Sequence, residues 1–506
     1  MSSRSSRIAK NTILLYARSI IVMLIAIYSS RVLLSALGVE DYGLYNLVGG
    51  IVTIFSSMKG IFAASVQRFI NYEKGNGNDE RVNEIFNTSI LIHIGIAVLF
   101  IVVVEAFGLW YINNKMVLPD GSLNNALFVF QCSILTFGVS IVTVPYDAII
   151  IANERMDFYA WISIGEAASK LGAIFLLSIL PFNSVRTYAL LIVIIAIAIR
   201  YISVVYTKRF PECKKKRIWN KSTVKELTTF AGWNFFGCMA FSLIEEGSNL
   251  IINFFGGVAA NAARAVAYQV KSAISQLSTN VVTASQPILF QEAASADKQV
   301  FWNHVFFQTR AVFYFVLITS VPFFVYTPQL LDIWLTEVPE HSVSFIRAIL
   351  IYQIIMTYQK TVDIGFKAYN KMEKYQILDS TIVLFSLPII YFYLKTGAPL
   401  YYAFIILAIV RIVDYFILFV LAKRTLQLSI RAFCRSVLTP SLTSTLIASL
   451  IGSLFLKYCN PSQWYYVLFM CILIVVAIGL ALYLLVFTKQ EKSMINSIVC
   501  TYLHKK

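Results

Sequence analysis

Long apolar runs alternate along the chain with short polar breaks, and the runs set the architecture. A helix needs about 20 mostly apolar residues to cross the hydrocarbon of a bilayer. Following each run out to the Gly, Pro, Asn or charged residues that interrupt it predicts fourteen spanning helices. They lie at 12–37, 44–70, 84–110, 123–150, 158–180, 186–207, 227–255, 261–288, 304–327, 342–370, 376–396, 400–422, 433–457 and 464–488. Trp110, Trp161, Trp233, Trp334 and Trp464 fall near predicted ends, where aromatic belts form at membrane–water interfaces.

Composition agrees with the pattern. Hydrophobic residues make up 58% and charged residues 13% of the 506, against roughly half and a quarter in soluble domains. An all-α polytopic membrane protein is the fold class this predicts. Basic residues precede the first apolar run, as in a signal peptide. That run is too long for a signal core and has no clear small-residue cleavage site, so it reads as a retained span.

The net charge of +16 matters through its distribution. With the N-terminus inside, the predicted inner segments hold 24 Lys or Arg, whereas the outer loops hold only Lys115. Positive residues retain loops on the cytoplasmic side, so both termini are expected there. The stretch KRFPECKKKRIWNK at Lys208–Lys221 is then an inner loop, and nucleic acid is not an expected partner. The seven cysteines show no CxxC spacing and the four histidines are scattered, so neither a metal site nor a cofactor is expected. No nucleotide-binding or nucleophile–base motif is visible and the outer loops are short, so the chain does not read as an enzyme.

The basic loop divides the spans six against eight. An offset of 219 residues carries the first two spans onto the seventh and eighth without a gap: Gly38-Val39 falls on Gly257-Val258, Gln67 on Gln286 and Glu73 on Glu292. Further on, IANERMDFY at 151–159 is similar to AYNKMEKY in the second half, and Lys208-Arg209 to Lys423-Arg424. The preserved order predicts a duplication: an N-lobe at 1–207, a basic cytoplasmic inter-lobe loop at 208–224, a C-lobe at 225–423, and two further spans with a cytoplasmic tail at 424–506. An even number of spans per repeat makes the lobes parallel repeats, one of the arrangements found in transporters.

Ionisable residues inside a membrane are costly and are functional candidates by default. Lys360, Asp363 and Lys367 are spaced i, i+3 and i+7 and share one helix face. That stripe faces either an aqueous cavity or another helix, with Asp363 neutralising one lysine and Lys367 reaching to the inner surface. Arg411 with Asp414, and Glu166 with Lys170, read as self-neutralised pairs.

The opening RIAKNTILLYARSIIVMLIAIYSSRVLLSALGVEDYGLYNLVGGIVTIFSSM, the SVQRFINYEKGNGN that follows, and PYDAIIIANERMDFYAWISI together resemble the Wzx-type polysaccharide flippases of the MOP (MATE-like) exporter superfamily. The resemblance covers essentially the whole chain, including the 6+6+2 layout. It implies two six-helix bundles in a V around a central cavity. Its cargo would be an undecaprenyl-diphosphate-linked oligosaccharide, moved from the inner to the outer leaflet of the bacterial plasma membrane by alternating access. O-antigen, capsule and other surface polysaccharide pathways stay open. Membrane lipids, a polysaccharide polymerase and chain-length proteins are the partners the resemblance implies. It also places spans one, two, seven and eight on the cavity wall.

On that wall Arg31, Glu245 and Lys271 come out at similar depth, about 25–28 Å from the inner ends of their helices at 1.5 Å rise per residue. Lys59 lies nearer mid-depth. Arg31, Lys59, Lys271, Lys360 and Lys367 are the expected cavity cations, because Arg and Lys offset the desolvation of a diphosphate. Gln67, Asn249, Asn253, Gln269 and Gln276 are candidate sugar contacts, with polar bonding between helices as the plainer reading. Glu245, Glu246 and Asp363 are candidates either for coupling to H⁺ or Na⁺ or for serving as counter-ions. Arg31 and Lys271, counterbalanced by Glu245 or Glu246 in an inter-lobe ion pair that only locks the outer gate closed, are the alternative to a binding role. A flippase for another lipid-linked precursor, or a drug or cation exporter, are the rival readings of the whole.

Overall fold

The computed structural model describes residues 3–53, 63, 66–67, 69–70, 73–74, 77–153, 155–177, 179–180, 182–214, 220–293, 298–369, 371–459, 461, 463–489 and 491–493. These residues are helical apart from short connections, with no strand among them. In chain order the helices are α1 (Ser3–Thr53), α2 (Asp79–Asn114), α3 (Leu123–Val142), α4 (Val144–Ala152), α5 (Met156–Leu177), α6 (Ser184–Thr207) and α7 (Lys221–Ala293). They continue with α8 (Lys298–Val325), α9 (Thr327–Trp334), α10 (Ser342–Met356), α11 (Gln359–Ala368), α12 (Met372–Leu384), α13 (Ser386–Lys395), α14 (Tyr402–Leu426), α15 (Ile430–Phe433), α16 (Thr439–Tyr458) and α17 (Trp464–Leu485). Eleven helices among the described residues are long and apolar enough to cross a membrane. The molecule is a multi-pass membrane protein.

Two of these elements are longer than any single crossing, and a glycine divides each. Gly38 in α1 has φ 76° and ψ 171°, and Gly257 in α7 has φ 66° and ψ −171°. This region of backbone space is essentially reserved for glycine. The two sit 219 residues apart, at the repeat offset, in nearly the same conformation. At Gly257 the chain folds back on itself: Asn261 donates to Asn249 and Arg264 to Glu245, pairs that bracket the glycine. α7 is therefore two antiparallel helices.

Elsewhere the predicted spans are broken more often than the apolar pattern shows. The run 123–150 divides at Thr143 into α3 and α4, with Pro145 in the first turn of α4, where its missing N–H costs nothing. The run 342–370 divides into α10 and α11 at Thr357, whose hydroxyl bonds the Ile354 carbonyl at 2.7 Å and competes with the helix ladder. A π turn at Cys434–Leu438 leads into α16 just before Pro440.

Contacts divide the chain into two compact units. The first comprises Met1–Val266, Leu335–Glu340 and Leu384–Leu400; the second comprises Ala267–Trp334, His341–Val383 and Tyr401–Lys506. In the first, α1 packs on α5 and α3, and α3 packs between α2 and α6. Its core holds Leu44, Leu47, Val48, Phe100, Phe130 and Val185. In the second, α14 packs on α10, and α16 packs against α8 and α17. Phe306, Val362, Phe366, Tyr375 and Phe419 lie in one of its cores. Large apolar side chains also cover the outside: Leu99, Val102, Phe416 and Leu485 are exposed. In water that surface would aggregate; in a bilayer it meets hydrocarbon at no cost.

Within the first unit the basic loop begins with an anchored turn, Pro211–Cys213. Glu212 is buried there and bonds Lys74 at 2.6 Å, while Asn153 donates to both Ile149 and Glu212. Asn83 donates to the carbonyls of Glu212 and Lys214, and Asn87 also reaches Lys214. These bonds fix the start of the connector through Lys214.

Candidate functional site

The first unit gathers polar side chains around the Gly257 turn. Glu245, Asn249, Asn253, Asn261 and Arg264 are all buried there. The turn itself makes the cluster, because it returns Asn261 and Arg264 to the flank of the helix they left. Asn261 donates to the Asn249 carbonyl at 3.0 Å and to its side-chain oxygen at 2.6 Å. Asn249 donates in turn to Glu246 Oε2 at 3.2 Å. Arg264 Nη2 donates to the Glu245 carbonyl at 2.5 Å. Gly50, in the second half of α1, lies over this chain: a Cβ there would stand 2.6 Å from Asn249 Nδ2 and 2.7 Å from Glu246 Oε2.

Asn253 has a different task. Its amide accepts from the Val117 backbone N–H and donates to the Val117 carbonyl, both at 3.1 Å. Tyr111 adds a hydroxyl bond to the Leu250 carbonyl at 3.3 Å. These three bonds tie the end of α2 and the connection after it to the end of α7's first helix. Arg31 sits half-buried on α1, and Gln67 is half-buried on a helical segment of the same unit. Lys59 lies outside the described residues.

Lys271 belongs to the second unit. Its ammonium stands 4.6 Å from the ring centre of Tyr268 and 5.2 Å from that of Tyr352, an aromatic cradle for a cation. Gln269 and Gln276 are half-buried on the same helix. On α11, Lys367 bonds Asp363 at 2.7 Å, while Lys360 one turn away is half-buried. The stripe thus divides into an ion pair at its exposed end and a lysine turned further in.

The second unit also holds a denser charge group. Arg411 Nη1 donates to Asp379 at 2.6 Å and to Asp414 at 3.1 Å, with all three residues buried. Gln359 Nε2 is 3.5 Å from Asp379 Oδ1. The i, i+3 pair on α14 therefore forms with a second carboxylate, from α12. Glu166 and Lys170 also pair, at 2.9 Å, with Arg200 at 3.9 Å from Glu166.

Two cluster members escaped the sequence reading. Arg264 stands in NAARAVAY and Asp379 in ILDSTIV, and each is a charge within an apolar run. That signal was available; the hairpin geometry that gives Arg264 its partner was not. A separate groove of about 410 Å³ lies in the second unit between α8, α10 and α16. It is lined by apolar residues such as Leu317, Val321 and Leu350 with Arg347 at its side. None of the candidate residues lines it.

Residues 8–293, or 286 of 506, match the family model described as polysaccharide biosynthesis protein. A search of curated proteins returns no match. Among solved structures, the fold is similar to that of the lipid II flippase MurJ in an inward closed conformation. The TM-score is 0.68 and the identity 13%, over 92% of this chain and 97% of that one. A multidrug resistance MATE family transporter of the MOP superfamily, in an inward-facing conformation, aligns with TM-score 0.63 and 13% identity. That alignment covers 82% of this chain and 97% of the other. A MOP superfamily transporter from Pyrococcus furiosus, described by the reverse polarity of its binding pocket, gives TM-score 0.61 at 12% identity, over 84% and 96%.

Proposed function

We infer that this chain, which belongs to the polysaccharide biosynthesis protein family, is a flippase for a lipid-linked oligosaccharide carried on undecaprenyl diphosphate. The family match over residues 8–293 is the observation that carries this reading. The molecule would work as a fourteen-span protein of the bacterial plasma membrane with both termini cytoplasmic. Alternating access would move the cargo from the inner to the outer leaflet for surface polysaccharide assembly. The lobes would be 1–207 and 225–423, joined by the basic loop at 208–224 and followed by two further spans. Membrane lipids surround it, and a polymerase and chain-length proteins would receive its product.

The chemistry of the candidate residues suits an anionic headgroup. Arg31, Lys271 and Lys360 are cations within predicted spans, and Arg264 adds a fourth. Lys59 and Lys367 complete the proposed set. A diphosphate entering a low-dielectric passage loses hydration, and charge-assisted bonds from such groups replace it. Gln67, Asn249, Asn253, Gln269 and Gln276 are proposed to offer amides to the sugars. For Asn253 the two bonds to Val117 support a structural task as well.

The test is reconstitution. Purified protein in vesicles is given a fluorescent undecaprenyl-diphosphate oligosaccharide, with lipid II and a cationic drug as competing cargoes. Movement of the oligosaccharide lipid alone is the expected result. Movement of only lipid II, or only the drug, would replace the reading with that cargo.

A further inference from the structure

The Asp379–Arg411–Asp414 group holds two carboxylates against one guanidinium. Asp414 is 0% and Arg411 1% exposed, and Asp379 is also buried. Both carboxylates take their bond from the same nitrogen, Arg411 Nη1, so they converge on one point. The second oxygen of Asp414, Oδ1, is buried with no hydrogen-bond partner, and so is Arg411 Nε.

Among the described residues, no second cation pairs with either carboxylate. Tyr352 comes from α10, Tyr375 from α12 and Tyr415 from α14, whose hydroxyl bonds Met356 Sδ at 3.3 Å. From α11, Gln359 reaches Asp379, and Asp363 is paired with Lys367. Lys360 is on the same helix, and the Lys271 ammonium stands 5.2 Å from the ring centre of Tyr352. A fully ionised group would thus bury one excess negative charge. In a low-dielectric interior such a charge is neutralised rather than tolerated. Two carboxyls sharing one site hold a proton between them. A proton on Asp414 would leave Arg411 and Asp379 as a balanced pair. Na⁺ is a poorer solution, because the guanidinium already occupies the point where the carboxylates converge.

We propose that Asp379 and Asp414 share one exchangeable proton around Arg411, and that this pair is the proton-coupling site of transport. The coupling half rests on the flippase reading; the proton site itself does not. Release of the proton leaves the group with one negative charge, which is sustained only when water reaches it. Proton exchange is therefore tied to opening of the face between α12 and α14.

Infrared difference titration of the full chain in lipid nanodiscs tests the site. The wild type should show the carbonyl band of a buried protonated carboxylic acid at neutral pH, lost as pH rises. Asp414→Asn and Asp379→Asn each restore charge balance, so both should lose that band while melting at the wild-type temperature. No such band in the wild type, or a band that survives in both variants, would overturn the site. In vesicles carrying the lipid-linked cargo, a pH gradient should drive wild-type transport and drive neither variant. Gradient-driven transport by both variants would overturn the coupling. A wild type that moves no cargo while showing the band would instead count against the flippase reading and the coupling built on it.

Discussion

Gly43 lies so close to Val258 that a Cβ on it would overlap the Val258 carbonyl, and it would meet the Ala262 backbone nitrogen at 3.2 Å. Ala262 is the position that the repeat offset of 219 assigns to Gly43 itself. Positions related by that offset therefore approach each other closely within the first unit. Small residues permit such close backbone approach between helices in membranes.

Enlarging that position should open the contact. Gly43→Val is expected to cost about 1–3 kcal/mol, as overpacking does. Gly49→Val, with open space around it, should cost far less. Thermal melting of the two variants in one detergent checks this, and equal losses would contradict it.

The two dividing glycines should be irreplaceable for a different reason. Gly38→Ala and Gly257→Ala meet no atom within 4 Å, yet each forces a side chain into backbone space that costs about 1–3 kcal/mol. Lower melting temperatures in both variants are the expected result. If neither falls, the backbone reversal at these sites is not what the glycines serve.

Much of this was legible in advance. Apolar run length found the all-helical membrane class, although fourteen spans were predicted and eleven helices among the described residues are long and apolar enough to cross. The offset paired Gly38 with Gly257, the two glycines at which long helices divide. Breaks inside runs were not legible at Thr357, because a hydroxyl that bonds its own helix looks like any polar residue in sequence. Nor did spacing along α14 reveal Asp379, since helix periodicity finds neighbours on one helix and not partners from the next. Arg31, Lys271 and Lys360 could be nominated as charges, but their surroundings depend on packing that no local pattern encodes.

The loop anchor should respond to acid. Burial raises the Glu212 carboxyl, but the bonds from Lys74 and Asn153 outweigh it and hold the group below the usual glutamate value. A carboxyl with a depressed folded-state pKa contributes stability above its unfolded value near 4.5 and loses it as pH falls further. Loop proteolysis should therefore stay slow from neutral pH down to that value and quicken below it. Glu212→Gln should cleave faster at neutral pH and show a flatter acid response. An unchanged acid limb in that variant would exclude Glu212 as the cause.

The neighbouring thiol offers an independent reading of the same anchor. Burial, with the Glu212 carboxylate beside it, pushes Cys213 up to about 12. Alkylation at neutral pH should be slow, because the thiolate is the reactive form. Lys74→Ala, which loosens the turn, should speed it. Fast labelling of the wild type would contradict the half-buried placement.

Removing Arg411 should harm the second unit more than removing either of its acids. Arg411→Leu strands two buried carboxyls, and breaking such a group costs about 3–5 kcal/mol. Asp414→Asn keeps the shape and should cost much less. The order of melting temperatures checks the prediction, and a reversed order would contradict it.

The central claim is that cations within the membrane serve an anionic, lipid-linked cargo. Its most direct measurement is complementation of a flippase-null strain, with surface polysaccharide as readout and membrane expression checked for each variant. Arg31→Ala, Lys59→Ala, Lys271→Ala and Lys360→Ala are compared with Lys115→Ala, in the connection after α2. Loss of surface polysaccharide in the first four, with Lys115→Ala active, is the predicted result. Normal polysaccharide from all four, at normal expression, would contradict it and leave those charges a structural role.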